Sequence, residues 1–471
     1  MKKKSMALLL TMALTVTTLM GCGGGSPSGS AGNSGESAPA VADTQEAEES
    51  AGNEAVAEDT GDYEPVTIEF WNSWTGADGD ILVELINRFN EENKWNITVE
   101  MDISAQFTEK FITAAPAGEA ADIVLFSAND KWRYREYIQT ITDIWDNTDL
   151  KEEDFVAKNL NMGKIENDLF AIPFQNSVYY LYWNKDLFEK AGLDPETPPS
   201  TYEEWGEMAT KITDPENNIF GGGVCVESAP QIEAVIHHFG GMAITEESEG
   251  KFKANFVGNE GYEKFFRWEK TYLDSGDFPT EIDLASMFKA GQLGILVDGT
   301  WLLAGCDDAG LNFGVAQMPY GDAGELQVGG LASFFITTSA SAEEKLACER
   351  FIQWWCMGND ADTDVTTTGD YNWSTRVGYP SSYQPTIDSE GYQSNERLQT
   401  MTIKDENLLQ TAYAPDTFYA PGEFTNIISS MQQAVVYGTD LEKDMEQALQ
   451  TAQEEAEKVI IEYHGEDALV K

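Results

Sequence analysis

Basic residues are scarce in this chain. Its 471 residues include 29 Lys plus Arg against 81 Asp plus Glu and only 3 His, for a formal net charge of −52. Such a polyanion repels a phosphate backbone, which excludes sequence-independent binding of nucleic acid, and it offers no basic patch for anionic lipid. Histidine is confined to His237, His238 and His464. With no His-Glu-x-x-His and no paired Cys-x-x-Cys spacing, the sequence points to no zinc site, and no metal or cofactor is expected. The nucleophile elbow of serine hydrolases and the phosphate-cradling loop of nucleotide hydrolases are both missing. Asp360, Asp362 and Asp364 begin like a calcium loop, but Val365 and Tyr371 stand where Gly and Glu are required, so the segment reads as a solvated acidic loop. Besides Cys22 there are four cysteines, Cys225, Cys306, Cys348 and Cys356. Cys348 and Cys356 lie roughly 12 Å apart by helical rise, beyond disulfide reach. Buried thiols are the expectation.

Hydrophobic residues make up 42% of the chain and aromatics 11%, with 12 Trp and 18 Tyr. That is ample for packed cores and for flat faces carrying a polar handle. The one long apolar run, Ala7 to Met20, follows Lys2, Lys3 and Lys4 and is too short for the roughly 20 residues of a membrane-spanning helix. It reads as a secretory signal over residues 1–21. Leu19-Met20-Gly21-Cys22 resembles the lipobox of bacterial lipoproteins, which makes Cys22 the expected lipidation site. Gly23 to Glu64 holds ten acids, no Lys or Arg, and Tyr63 as its sole aromatic. Such a stretch buries too little to offset its ordering entropy, so residues 22–64 read as a lipidated cysteine and a disordered tether. Without Lys2–Lys4 and the ten tether acids, residues 65–471 still carry −45.

The rest alternates strand and helix patterns. Val66–Trp71 reads as a strand, Ile81, Leu82, Leu85, Ile86 and Phe89 as one helical face, then Ile97, Val99 and Met101 as a second strand. A helix through Phe107–Ala115 precedes a third strand ending at Phe126. Strand–helix–strand order with short connections predicts a parallel, helix-covered sheet. Ser200-x-x-Glu203 and Ser341-x-x-Glu344 look like capping boxes opening helices. Leu441, Met445, Leu449, Ala452, Ala456, Val459 and Ile460 form the stripe of a long C-terminal helix. Tyr179 to Trp183 reads as strand core, and His464 as a solvated residue.

Ile172-Pro173-Phe174 through Leu181-Tyr182-Trp183-Asn184-Lys185-Asp186-Leu187-Phe188, then Ala191-Gly192-Leu193 and Thr201-Tyr202 to Trp205, closely resembles the extracellular solute-binding proteins of carbohydrate ABC transporters, the maltose-binding-protein group. Phe288-x-Ala290-Gly291-Gln292 to Asp298-Gly299-Thr300-Trp301 and Phe313-Gly314-Val315-Ala316 are similar to further segments of that family, and the resemblance spans nearly the whole body. It implies an α/β, two-lobed periplasmic-binding-protein fold, each lobe a helix-flanked, mainly parallel sheet, with a ligand cleft between. By that resemblance, lobe one is 66–175 plus 298–339 and lobe two is 176–297 plus 340–471. It also implies a non-enzymatic, monomeric receptor that closes about a hinge on a mono- or oligosaccharide and hands it to a membrane-embedded ABC permease. Signal and tether match the lipoprotein form typical of Gram-positive members, anchored on the extracellular face of the cytoplasmic membrane.

The residues that the resemblance places at the ligand are Asn72 and Trp74 after the first strand, Asp130 after the third, and Asn176 and Ser177 at the crossover. In the second lobe they are Glu227 or Ser228, with Asp298 and Trp301 in the Asp-Gly-Thr-Trp turn; Trp373 and Arg376 follow near Gly378. An indole floor flanked by carboxylates and amides suits a sugar, whose C–H face is apolar and whose rim is hydroxyls. Other readings stay open at this point: a cationic solute such as a polyamine, which acidity would suit, a secreted glycoside hydrolase using two carboxylates, or a surface adhesin. Scarce Arg and Lys near these loops speak against an organic phosphate.

Overall fold

The computed structural model of the protein describes residue 61 and residues 63–226, 228–280, 283–402, 409–410, 415, 417–418 and 422–471. The signal peptide, Cys22, nearly all of the tether and Glu227 lie outside the described residues.

The first lobe starts as its sequence pattern dictates. Alternation along β1 (Val66–Asn72) sends Ile68 and Phe70 inward. Helix Ala77–Glu92 buries Leu82, Leu85, Ile86 and Phe89, and β2 (Ile97–Ile103) pairs in parallel with β1 from Val66↔Ile97 to Asn72↔Ile103. β3 (Ile123–Ser127) runs parallel on the other side of β1. Its period of two divides it between cores: Ile123 and Leu125 enter the one under helix Ala77–Glu92, Val124 and Phe126 the one built on Phe107, Phe111 and Tyr134. A short hairpin, β4 (Lys164–Ile165) with β5 (Asp168–Leu169), leads into the longest strand, β6 (Ala171–Asn184).

β6 carries the chain from one lobe to the other. Phe174 is packed in the first-lobe core, whereas Tyr179, Leu181 and Trp183 enter the second. Val178, Tyr180 and Tyr182, on the opposite face, pack with Phe288 and Leu303. The expected strand core over Tyr179–Trp183 is therefore what forms. In the second lobe follow the hairpin β7 (Ile244–Ser248) with β8 (Lys251–Ala254), then β9 (Ile295–Gly299) and β10 (Phe313–Ala316), both antiparallel to β6. β11 (Gln327–Ile336) returns, antiparallel to both β6 and β3, with Val328 in the second core and Phe334 in the first; β12 (Leu409–Gln410) pairs with its start. Parallel pairing thus holds for β2-β1-β3, while the crossover strands make the sheet mixed.

The lobe boundaries differ from the sequence reading. Helix Ala342–Met357 does not join the second lobe: Phe351 lies 5.9 Å from Phe70 and 5.0 Å from Phe89, centroid to centroid, and Trp354 lies 5.3 Å from Phe89. Trp373, Tyr379 and Tyr383 share that core. Conversely Leu302, Leu303 and Cys306 pack with the second-lobe strands instead of the first lobe. The reason is topological: β11 delivers the chain into the first lobe, and the short link after Ile336 leaves the next helix no route back.

Capping follows the sequence at one helix and slips at another. Ser341 and Glu344 form the expected reciprocal box. Before helix Tyr202–Ile212 the cap is Thr201, one residue later than expected, whose hydroxyl accepts from the Glu204 amide. Helix Leu441–His464 forms with its expected stripe buried from Met445 to Ile460 and Leu441 half-buried at its start. His464 is half-buried rather than fully solvated: its ring stacks on Phe418 at 4.9 Å and lies 4.6 Å from Phe252. His237 and His238 are buried in helix Ala229–His238. His238 sits with Nδ1 2.8 Å from the Ala234 carbonyl oxygen, and burial pushes its pKa down to about 4. Cys306, Cys348 and Cys356 are buried thiols outside any disulfide.

Candidate functional site

A cavity of about 680 Å³ opens between the two cores, where β6 and β11 cross. From the first lobe it is walled by Trp74, Asp78, Phe107, Ser127 and Asp130. The crossover strands contribute Gln175, Ser177 and Gly330; the second lobe contributes Lys289 and Trp301; Tyr379 closes the back.

The turn after β1 aims Trp74. Its amide donates to Asn72 Oδ1 at 3.0 Å, and its ring meets Phe174 edge-on at 5.8 Å. Asn72 is fully buried and does not reach the cavity; it shapes the turn that presents Trp74. Two residues into helix Ala77–Glu92, Asp78 accepts from the Gly79 amide at 2.9 Å and from the Tyr379 hydroxyl at 3.4 Å. Burial holds its pKa above the ordinary value despite those bonds. Asp130, expected at the ligand, lines the cavity half-buried and accepts from the Ser127 amide at 3.2 Å. Desolvation pushes its pKa up to about 6 against the pull of Arg133.

The crossover position is split by strand alternation. Ser177 and Gln175 face the cavity, with Gln175 Nε2 donating to Ser177 Oγ at 3.4 Å. Asn176, between them, faces away. Its amide nitrogen lies 3.2–3.3 Å from Pro380 O, Ser381 O and Ser382 Oγ, and its Oδ1 accepts from Asn159 at 2.9 Å. The side-chain amide of Asn176 thus pins the crossover to the 380–382 loop through its nitrogen and to Asn159 through its oxygen, and neither end is left for a ligand.

Trp301 is the exposed aromatic of the site, 44% accessible. Its ring stands edge-on to Tyr179 at 5.4 Å and lies over Gly299, where a Cβ would come within 2.1 Å of it. Glycine in the Asp-Gly-Thr-Trp turn is what lets the indole fold back over the strand end. Asp298 is buried at 4% accessibility, accepts from the Gly299 amide at 2.7 Å, and has its pKa pushed up to about 7 by desolvation, with Trp301 and Gln231 opposing. It lines a smaller cavity of about 150 Å³ with Ser228, Gln231 and Trp301. Ser228, adjoining Glu227, is thereby placed at the second-lobe wall.

Two more expected contacts are corrected, besides Asn72 and Asn176. Trp373 is fully buried, stacked on Tyr379 at 5.7 Å and 12°, and its Nε1 donates to Gln175 Oε1 at 2.7 Å. It stands behind the wall and holds two residues that form it. Arg376 sits on the surface in a bidentate pair with Glu84 at 2.7 and 2.8 Å, away from both cavities. Sequence reading missed Asp78, Gln175, Lys289 and Tyr379. The period of two along β6 was a usable signal, because choosing Ser177 selects Gln175 and rejects Asn176.

Aromatic walls, backbone turns and a few carboxylates, amides and hydroxyls around a cavity of this size bind a small polar solute by its faces and its rim. Two lobes joined by crossover strands at that cavity define a periplasmic-binding-protein receptor. The chain belongs to the bacterial extracellular solute-binding protein family, whose profile matches residues 84–397. It is 24% identical over 390 residues to the sn-glycerol-3-phosphate-binding periplasmic protein of Shigella dysenteriae, covering 71% of this chain and 80% of that one. It is 26% identical over 252 residues to the maltotriose-binding protein of Pyrococcus abyssi, covering 51% and 52%. Among solved structures, an ABC transporter solute-binding protein of Thermotoga lettingae bound with α-D-tagatose superposes with a TM-score of 0.69 at 20% identity, over 84% of this chain and 99% of the other. Maltose-bound MalE3 of T. maritima gives 0.67 at 17% identity, over 83% and 98%. Among the described residues no helix is long and apolar enough to cross a membrane.

Proposed function

We propose that this protein captures a mono- or oligosaccharide in the cavity between its lobes and delivers it to an ABC-type permease. The observation that carries the reading is Trp301. An indole left 44% exposed in the wall of a cavity, held in place over Gly299 and beside a buried carboxylate, offers a flat apolar face with acceptors at its rim. That is the chemistry of a pyranose turned inside out. Names among the relatives support it, since they include binders of maltotriose and galactooligosaccharide, and the similar structures hold tagatose, mannotriose and maltose. Closure of the lobes about β6 and β11 would bury both sugar faces and create the shape that a permease reads.

Calorimetry of the purified body against tagatose, maltotriose, mannotriose and galactobiose tests the reading. One-to-one heat with the sugar recovered intact is expected; release of cleaved sugar, or no binding to any saccharide, overturns it. Anchoring through Cys22 on the extracellular face of the membrane is part of the proposal. In a Gram-positive host, Cys22→Ser should move the protein from the membrane fraction to the medium and abolish labelling by a palmitate analogue.

A further inference from the structure

We propose that the ligand is an acidic sugar whose carboxylate is held by Lys289; this rests on the saccharide reading and narrows it. Lys289 ends helix Leu284–Lys289 and lines the large cavity from the second lobe, its stem laid against Gly305, where a Cβ would stand 3.3 Å from the lysine Cδ. Four other lysines of that lobe meet carboxylates: Lys185 pairs with Glu196 at 2.6 Å, Lys190 with Asp214 at 3.2 Å, Lys264 with Asp322 at 2.6 Å and Lys270 with Asp274 at 2.9 Å. Those pairs are at the surface, whereas Lys289 lines the cavity. Lys289 makes no hydrogen bond or ion pair among the described residues; Asp298 and Asp283 act on it only as neighbouring charges.

The acids of the same cavity are in the opposite condition. Asp78 is met by the Gly79 amide and the Tyr379 hydroxyl, and Asp130 by the Ser127 amide. In the adjoining smaller cavity, Asp298 turns its Oδ1 back to the Gly299 amide, and burial leaves it only partly ionised near neutral pH. Of the charged side chains that line the large cavity, Asp78, Asp130 and Lys289, the lysine is thus the one with no hydrogen bond among the described residues. The ammonium of this half-buried lysine, with carboxylates near it but none in hydrogen-bond contact, is stabilised by an anion brought in with the ligand, through a charge-assisted hydrogen bond stronger than one to a neutral hydroxyl.

The anion's class follows from the count. One ammonium balances the single charge of a carboxylate. A phosphate monoester, near −2, calls for several donors or an arginine fork, and among the described lining residues there is no arginine, while Asp78 and Asp130 would oppose a dianion. A uronic acid unit places one carboxylate on a ring whose remaining hydroxyls suit those acceptors.

The test titrates the purified body with galacturonate, glucuronate and mannuronate disaccharides, each beside its methyl ester, and with neutral maltotriose, mannotriose and galactobiose. At least one free acid is expected to bind about tenfold or more tighter than its ester. That preference should shrink with added salt, collapse in Lys289→Met and persist in Lys289→Arg. Equal affinity for acid and ester, binding of neutral sugars alone, or a preference that survives in Lys289→Met overturns the inference while the saccharide reading stands. If no saccharide of either kind binds, the saccharide reading itself falls, and this inference with it.

Discussion

The indole Nε1 of Trp373 donates to Oε1 of Gln175 at 2.7 Å, which ties the core of the first lobe to the strand that crosses into the second. A primary amide can turn either end to a ligand. With its oxygen taken by a buried indole, Gln175 presents its nitrogen to the cavity side and to Ser177. Trp373→Phe should therefore weaken ligand affinity severalfold without touching the ligand, and lower stability by about 1–3 kcal/mol through the buried acceptor left unmet. Calorimetry on Trp373→Phe, Gln175→Ala and the double variant checks this: the two losses should not add.

Trp301 and Gly299 form a pair with a sharper signature. Trp301→Ala removes an indole packed on Gly299 and Tyr179 and beside buried Asp298, so it should cost about 1–3 kcal/mol of stability while ligand affinity falls by about tenfold or more. Gly299→Ala should reproduce the affinity loss with Trp301 intact, since its methyl group takes the space of the indole ring. Tryptophan fluorescence would report the displaced ring.

Asn176 and Arg376 should separate hinge from surface. Asn176→Ala removes a buried amide with four partners and is expected to cost about 2–4 kcal/mol in chemical denaturation. Arg376→Ala breaks an exposed pair with Glu84 and should cost no more than about 1 kcal/mol, with ligand affinity unchanged.

Acidification should stabilise the ligand-free protein. Burial pushes Asp298 up to about 7 and Glu269 up to about 8, the latter against a hydrogen bond from Gln432. Both are raised above their unfolded values near 4, so between pH 4 and 8 the folded state holds protons that the unfolded chain releases. Stability is then highest at the acid end of that window and is lost as pH rises through the folded pKa values. Each group contributes on the order of a few kcal/mol at roughly 1.4 kcal/mol per unit. The thermal midpoint should fall between pH 5 and pH 8.5, and Glu269→Gln should flatten that fall.

Much of this architecture was legible along the chain. Alternation in Val66–Asn72 and in Tyr179–Trp183, the helical stripes at Leu82–Phe89 and Met445–Ile460, and the Ser341–Glu344 box each form as read. These are local patterns, and burial of one face enforces them wherever they end up. At the site the record divides. Trp74, Asp130, Ser177, Asp298 and Trp301 line one cavity or the other. Asn72, Asn176 and Trp373 lie behind the wall, and Arg376 on the surface.

Those misplaced residues share one cause. Nothing in a linear pattern distinguishes an amide that faces a cavity from one a residue away that pins a loop, because the difference is a half-turn of a strand measured against a partner some 200 positions distant. The same holds for Lys289, Asp78 and Tyr379, which come from separate helices and loops and meet only where β6 and β11 cross. Composition, charge and periodicity were enough to define an acidic α/β body. Which side chains face the cavity, which carboxylates are already met, and that one lysine is not, depended on long-range packing, since burial and hydrogen bonding are properties of neighbours in space rather than in sequence.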